Sequence, residues 1–207
     1  MIPRLYAIVD ADVLAAHGVA LREFALELRA AGVDLVQYRD KSGSPQDVLL
    51  AAAVLREVFA GTTCRLIMND RADLAVLAEF DGVHVGQGDL SPDDSKRVVG
   101  PSKLVGVSTH TGDQVRAADR SSADYIAIGP AFATGTKPDA EQVVGLEGIR
   151  RARALTRKPL VAIGGITRAN ARSVIEAGAD SVAVISGLFV PGESVAQVAR
   201  DFLELVR

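Results

Sequence analysis

The chain alternates between short runs rich in β-branched and other apolar residues and longer stretches in which apolar residues recur every three or four positions. The short runs are typical of β-strands, and the longer spacing is typical of helices that turn one face towards a core. No linker or low-complexity segment interrupts this alternation. We predict eight strands, at residues 5–9, 35–39, 66–69, 83–87, 105–108, 125–129, 160–164 and 182–185.

A helical pattern follows each predicted strand, and it is weakest after the third and fourth strands. Glycine stands between a helix and the next strand at Gly32, Gly82 and Gly178. Because glycine adopts the left-handed cap that other residues disfavour, the chain can enter a parallel strand within a few residues of the helix end. The clearest helical patterns cover residues 21–31, 45–59, 148–155, 169–177 and 195–206.

The number of strand and helix units favours a closed barrel. Eight units in 207 residues match a small barrel, whereas an open doubly wound sheet usually has fewer units and a glycine-rich fingerprint after its first strand. No such fingerprint follows Asp10. The predicted fold is therefore α/β, a single (βα)8 TIM barrel, in one domain that spans residues 1–207.

Composition narrows the possible partners and the compartment. The chain has 23 Lys and Arg against 26 Asp and Glu, a formal net charge of -3, so no general basic field is present to bind nucleic acid. A single cysteine, Cys64, excludes an internal disulfide and is interpreted as inert core in a reducing cytoplasm. No apolar stretch approaches the ~20 residues of a bilayer span, and no signal peptide precedes the first strand. We expect a cytoplasmic protein without a membrane partner.

Polar residues are concentrated where strands lead into helices, which is the active face of such barrels. In the second strand, the alternation of an extended chain places Gln37, Arg39 and Lys41 on one side. An exposed strand end paired with neighbouring acidic residues would have the same pattern. Two cations beside an amide nevertheless suit a diphosphate better than a single ion pair.

Two carboxylates follow the next two strands. Asn69 and Asp70 end the third strand, and Asp89 follows the fourth. Mg²⁺ is commonly held by one or two carboxylates together with phosphate oxygens and water. Alternatively, Asp70 caps the helix after it and Asp89 starts a turn before Ser91. The proximity of both carboxylates to Arg39 favours the metal.

Candidate anion-binding loops follow the last three strands. The loop at residues 129–138 contains threonines, glycine and a lysine, and it precedes a helix that begins near Leu146. Such long loops are often lids, although a plain flexible insertion is the alternative. Glycines at residues 163–167 and 184–187 allow backbone N–H groups to approach a phosphate. His17, His84 and His110 lack metal-ligand spacing, and we interpret them as structural or peripheral.

Seven motifs lie along the chain, at residues 37–41, 69–71, 82–89, 106–110, 134–137, 163–166 and 184–186. Taken together, these motifs resemble the thiamine phosphate synthase family, and the resemblance covers nearly the whole chain in the family's order. Asp40, Gly88 and Ala133 depart from the residues most common in that family, which leaves the surroundings of the metal and the stiffness of the lid open.

The resemblance implies that an aminopyrimidine methyl diphosphate is joined to a thiazole phosphate, with release of diphosphate, and that Asp70 and Asp89 bind Mg²⁺. It also implies that Ser108 meets the pyrimidine. Pyrimidine diphosphate contacts are implied for Gln37, Arg39, Lys41, Asn69 and Lys137, and thiazole phosphate contacts for Thr134, Thr136, Gly165, Ile185 and Ser186.

The charges that develop when diphosphate leaves agree with these assignments. Mg²⁺, Arg39, Lys41 and Lys137 can stabilise the charge of a departing diphosphate, and the electron-rich pyrimidine can carry the positive charge left behind. Arg39, Lys41, Ser108 and Lys137 are therefore the candidate catalytic residues, and no protein nucleophile is required. Three alternatives remain: a thiazole tautomerase-like relative, an unrelated isomerase or aldolase with the same phosphate loop, and a non-catalytic regulator that binds thiazole phosphate.

Overall fold

The computed structural model describes residues 2–134 and 142–207, and it is a closed barrel of eight parallel strands. Each strand pairs with its neighbours in chain order, and β1 pairs with β8 to close the sheet, with Ala7 opposite Val184. The predicted (βα)8 barrel is therefore confirmed. The strands are β1 Leu5–Asp10, β2 Leu35–Arg39, β3 Arg65–Asn69, β4 Gly82–Val85, β5 Leu104–Thr109, β6 Tyr125–Ile128, β7 Leu160–Ile163 and β8 Ser181–Val184.

Helices surround the barrel, and most lie where the apolar spacing predicts them. The described helices are α1 Ala11–His17, α2 Leu21–Ala31, α3 Pro45–Phe59, α4 Ala72–Leu77, α5 Pro92–Val99, α6 Gly112–Arg120, α7 Gly145–Leu155, α8 Ala171–Glu176 and α9 Val195–Leu205, with a short 3₁₀ helix at Ser186–Leu188.

The differences from prediction are local. Helix α1 was not predicted; it begins at the end of β1, where the Asp10 carboxylate accepts a hydrogen bond from the backbone N–H of Val13. Strands β4, β6, β7 and β8 end one or two residues earlier than predicted. After β7 the reason is Gly164, whose φ of 99° takes the backbone out of the extended region.

Two apolar layers enclose the strands. The inner layer fills the barrel with alternate strand residues such as Tyr6, Ile67 and Tyr125, and the outer layer packs the helices against the other faces of the strands. The inner layer thins towards the carboxyl ends of the strands, where the inward positions are polar, as at Gln37 and His84. The fold thus directs its polar inward side chains to one end of the barrel.

At the opposite end of the barrel, the aspartates directly before β4, β6 and β8 accept hydrogen bonds from the backbone of the preceding strand. Asp81 accepts a hydrogen bond from the backbone N–H of Leu66 (2.8 Å), Asp124 accepts one from Val105 (2.7 Å), and Asp180 accepts one from Leu160 (2.8 Å). Each carboxylate therefore ties the start of its own strand to the strand before it. Two of these aspartates, Asp81 and Asp180, lie within two residues of Gly82 and Gly178, which stand between a helix and the next strand.

Replacing Asp180 by Ala is expected to lower the free energy of unfolding by about 1–2 kcal/mol, because a backbone N–H and Arg153 both lose a charged acceptor. Asp113→Ala is the matched control, since Asp113 pairs with Arg116 on the surface of α6 and its side chain is 96% exposed. Urea unfolding of both variants measures the effect. Equal stability of the two variants would contradict the role assigned to Asp180.

Two further expectations from composition concern the reactivity of the cysteine and the presence of a membrane-spanning helix. Cys64 is partly buried at the start of β3 and packs against the outer layer, and burial raises the pKa of its thiol to about 12, which fits an inert thiol. Within residues 2–134 and 142–207, every helix is too short or too polar to cross a bilayer.

Candidate active site

Two adjoining cavities open at the carboxyl ends of the strands. One, of about 130 Å³, is lined by charged and amide side chains and is here called the charged cavity. The other, of about 230 Å³, is lined by the glycine-containing loops after β6, β7 and β8 and is here called the glycine cavity. The two cavities share Ser108, His110, Ala127, Ile163, Ala183 and Ile185.

The predicted group on β2 lies in the charged cavity. Gln37, Arg39 and Lys41 all line it, as the alternation of the strand predicts. The Arg39 guanidinium forms an ion pair with Asp10, whose side chain is only 2% exposed, whereas that of Arg39 is 12% exposed. Asp10 also caps α1, so the position of Arg39 is coupled to the first strand-to-helix junction.

Both predicted metal ligands face the same cavity as Lys41. Asp70 accepts a hydrogen bond from the Lys41 ammonium, and Asp89 lines the same cavity. The pKa of the Asp70 carboxyl lies above its ordinary value, chiefly because of burial; Lys41 opposes this shift and Asp89 adds to it. The two carboxylates therefore face one cavity and are close enough for the charge of one to act on the other.

The local backbone aims these carboxylates at the cavity. Asp70 has a φ of 60°, a left-handed conformation that is uncommon for residues other than glycine. It does not cap the following helix, since Arg71 occupies the N-cap position of α4, so that alternative is wrong. Asp89 does close a turn, because its carboxylate accepts a hydrogen bond of 2.8 Å from the Gly86 N–H.

Below the charged cavity, a series of hydrogen bonds crosses the interior of the barrel. Gln37 Nε2 donates to Tyr6 Oη (2.7 Å), Tyr6 Oη bonds to Tyr125 Oη (2.9 Å), Tyr125 Oη bonds to His84 Nδ1 (3.1 Å), and His84 Nε2 bonds to Ser108 Oγ (2.9 Å). We call these five residues the tyrosine network. It links two predicted substrate-binding side chains, Gln37 and Ser108.

The glycine cavity contains predicted phosphate-binding residues from three loops. Thr134, Gly165, Ile185 and Ser186 line it. Gly165 has a φ of 63°, and a Cβ there would lie 2.6 Å from the carbonyl oxygen of Ala133. Only glycine therefore allows the β7 loop to pack this closely on the segment that leads to Thr134.

The remaining predicted residues have different outcomes. Asn69 lines the charged cavity as predicted, whereas Thr136, Lys137 and the part of the candidate lid from residue 135 onwards lie outside the described residues. The histidines were expected to be structural or peripheral. His84 is structural, since it bonds to Tyr125 and Ser108 inside the barrel, and both His84 and His110 line the charged cavity. His17 lies apart from both cavities and stacks on Phe189.

Sequence reasoning missed several residues of the site. Asp10, Tyr6 and Tyr125 were not predicted to contribute, and His84 was not assigned to the cavity. A signal was available for the tyrosines, because Tyr6 and Tyr125 occupy inward positions in the alternation of β1 and β6. No local pattern indicates that Asp10 pairs with Arg39, since the contact depends on the pairing of β1 with β2.

Comparison with known proteins identifies relatives that cover nearly the whole chain. A thiamine-phosphate synthase from Koribacter versatilis is 53% identical over 207 residues, covering 99% of this chain and 96% of the relative. A second, from Chloroflexus aurantiacus, is 41% identical, covering 98% and 92%. Among solved structures, a thiamine phosphate pyrophosphorylase from Pyrococcus furiosus has a TM-score of 0.86 at 30% identity, covering 98% and 95%. Since the family model described as thiamine monophosphate synthase also matches residues 5–188, the chain belongs to the thiamine monophosphate synthase family.

Proposed function

We propose that this chain joins an aminopyrimidine methyl diphosphate to a thiazole phosphate, giving thiamine phosphate and diphosphate, and that the reaction depends on Mg²⁺. Membership of the family supports the transferase activity. The observation that carries the finer assignment is the convergence of Arg39, Lys41, Asp70 and Asp89 on a cavity that opens into a second, glycine-lined cavity. Two adjoining sites of different character suit two phosphorylated substrates.

The residues present fit a magnesium ion. Asp70 and Asp89 place two carboxylates in one cavity, and a hard cation is the natural partner for such a pair. In the part of the chain that the structure describes, no group of three or more His, Cys, Asp or Glu side chains is placed to hold a metal. The remaining ligands would then come from substrate phosphate oxygens and water. When bound, Mg²⁺ supplies positive charge that stabilises the leaving diphosphate.

The protein's own groups would bind and orient the two substrates. Arg39 and Lys41 provide cations for the diphosphate, and Gln37, Asn69 and Ser108 provide polar contacts for the pyrimidine. Thr134, Gly165, Ile185 and Ser186 are proposed to bind the thiazole phosphate. Thr136 and Lys137 keep the roles that the resemblance implies. Charge stabilisation, and not attack by a protein nucleophile, then carries the reaction.

A direct test is to incubate the purified protein with both phosphorylated heterocycles and Mg²⁺, and to measure thiamine phosphate and diphosphate. Equal amounts of both products are expected, and chelation of Mg²⁺ by EDTA should abolish them. Binding of thiazole phosphate without product would instead support a regulator, and turnover in EDTA would contradict the metal assignment. A cytoplasmic location, which we also propose, is testable by fractionation of cells that contain the protein.

A further inference from the structure

Each hydrogen bond in the tyrosine network has one donor and one acceptor. The order of donors and acceptors along the network affects which heterocycle the charged cavity accepts. Each hydroxyl in the network can donate one hydrogen and accept others, so the assignment of one bond constrains its neighbours. Tyr6 and Tyr125 are fully buried, and burial raises the pKa of both phenols above their ordinary value. Both phenols therefore keep their hydrogen, and each hydrogen needs an acceptor.

The donor of each hydrogen bond in the network can be assigned by starting from Gln37. Because Gln37 Nε2 donates to Tyr6, the Tyr6 hydroxyl donates to Tyr125. Tyr125 already accepts from Tyr6, so its own hydrogen goes to His84 Nδ1. The imidazole hydrogen of His84 is then on Nε2 and is donated to Ser108 Oγ. Ser108 is left with its hydroxyl hydrogen to donate elsewhere.

Packing holds the network in place. Tyr6 and Tyr125 meet edge to face, and His84 stacks against Tyr125. Gly106 on β5 makes room for the Tyr125 ring, because a Cβ at that position would lie 2.0 Å from the ring carbon that bears the hydroxyl. The phenols consequently cannot turn to other partners without disturbing the barrel interior.

We propose that the tyrosine network is a specificity determinant: it presents Gln37 Oε1 as an acceptor and Ser108 Oγ–H as a donor to the heterocycle. Tyr6, Tyr125 and His84 act as positioning residues. This inference rests on the proposed function. A 4-aminopyrimidine matches this polarity, because its amino group donates and its ring nitrogens accept. The 4-oxo analogue reverses it, because the oxygen accepts and a ring N–H donates.

The first test measures selectivity in Tyr125→Phe. This substitution removes the hydroxyl that bonds to both Tyr6 and His84, with almost no change of side-chain volume. The ratio of kcat/KM for the amino substrate to that for the 4-oxo analogue is expected to fall about tenfold. Intrinsic differences in reactivity cancel when variant and wild type are compared. A purely structural role would lower both kcat/KM values equally and leave the ratio unchanged, and that result would overturn the proposal.

Tyr38→Phe is the matched control, since the third tyrosine of the chain loses the same hydroxyl but bonds to Asp40 on the outer side of the strands. Its ratio should equal that of the wild type. If Tyr125→Phe does not fold, Tyr6→Phe interrupts the network one bond closer to Gln37 and gives the same expectation. In a Ser108→Ala background, Tyr125→Phe should no longer change the ratio.

The second test needs no turnover. The ¹⁵N chemical shifts of His84 in the resting protein, assigned by comparison with His84→Gln, are expected to show the hydrogen on Nε2. A hydrogen on Nδ1 would reverse the network and overturn the proposal. Failure of the wild type to form thiamine phosphate would count against the proposed function alone, because the tautomer is measured independently of the reaction.

Discussion

Replacing Asp70 and Asp89 together by Asn is expected to lower kcat for thiamine phosphate formation roughly a thousandfold, the scale of a metal's contribution to charge stabilisation. Both carboxylates face the cavity that also contains Arg39 and Lys41. Asparagine keeps an acceptor for Lys41, and it tolerates the left-handed conformation at residue 70 better than alanine does. Unfolding by urea should therefore change little.

The measurement is a titration with Mg²⁺ of thiamine phosphate and diphosphate formation. Asp73→Asn is the control, because Asp73 lies three residues beyond Asp70 but pairs with Arg71 at the surface, where its side chain is 57% exposed. Its rate should match the wild type. Full activity of the double variant at ordinary Mg²⁺ concentrations would refute the metal assignment for both carboxylates.

Arg39→Met is expected to have two separable effects, a loss of activity and a loss of stability. The activity loss should reach about a hundredfold or more, because a cation that faces the diphosphate is removed. The stability loss should be about 3–5 kcal/mol, because Asp10 is left as a buried charge without a partner. Both effects are large because the same side chain serves the cavity and the barrel interior.

A second substitution separates the two effects. Asp10→Asn in the Arg39→Met background removes the unpaired charge and retains an acceptor for the Val13 N–H. We expect urea unfolding to recover most of the lost stability while kcat stays low. Recovery of both quantities would show that Arg39 acts only by structural pairing. Recovery of neither would show that the ion pair with Asp10 is not the cause of the destabilisation.

Much of the site was predictable because it depends on strand alternation. Gln37, Arg39 and Lys41 occupy alternate positions, and a parallel barrel directs the ends of all its strands to one face. Asn69, Asp70 and Asp89 lie at this face for the same reason, since they stand at or just beyond strand ends. The loops that follow later strands reach the same face, and their residues Thr134, Gly165, Ile185 and Ser186 line the glycine cavity.

The interior partners were not predictable in this way. Tyr6 and Tyr125 are separated by 119 residues, and nothing in either local sequence indicates that their hydroxyls meet. His84 has no metal-ligand spacing, so the sequence favoured a structural or peripheral role without indicating partners, and its register on β4 turns it inward to Ser108. Helix α1 was missed because its N-cap, Asp10, also belongs to the end of a strand.

Sequence by itself determined the eight strands, the barrel, the family resemblance and the list of charged residues at the carboxyl ends, because these follow from periodicity and from residues adjacent in the chain. Tertiary structure alone decided which side chains interact: Asp10 with Arg39, Lys41 with Asp70, and Gln37 with Ser108 through two buried phenols and His84. The physical reason is closure of the barrel. Register and curvature bring distant strands within hydrogen-bond distance, and no local pattern encodes those separations.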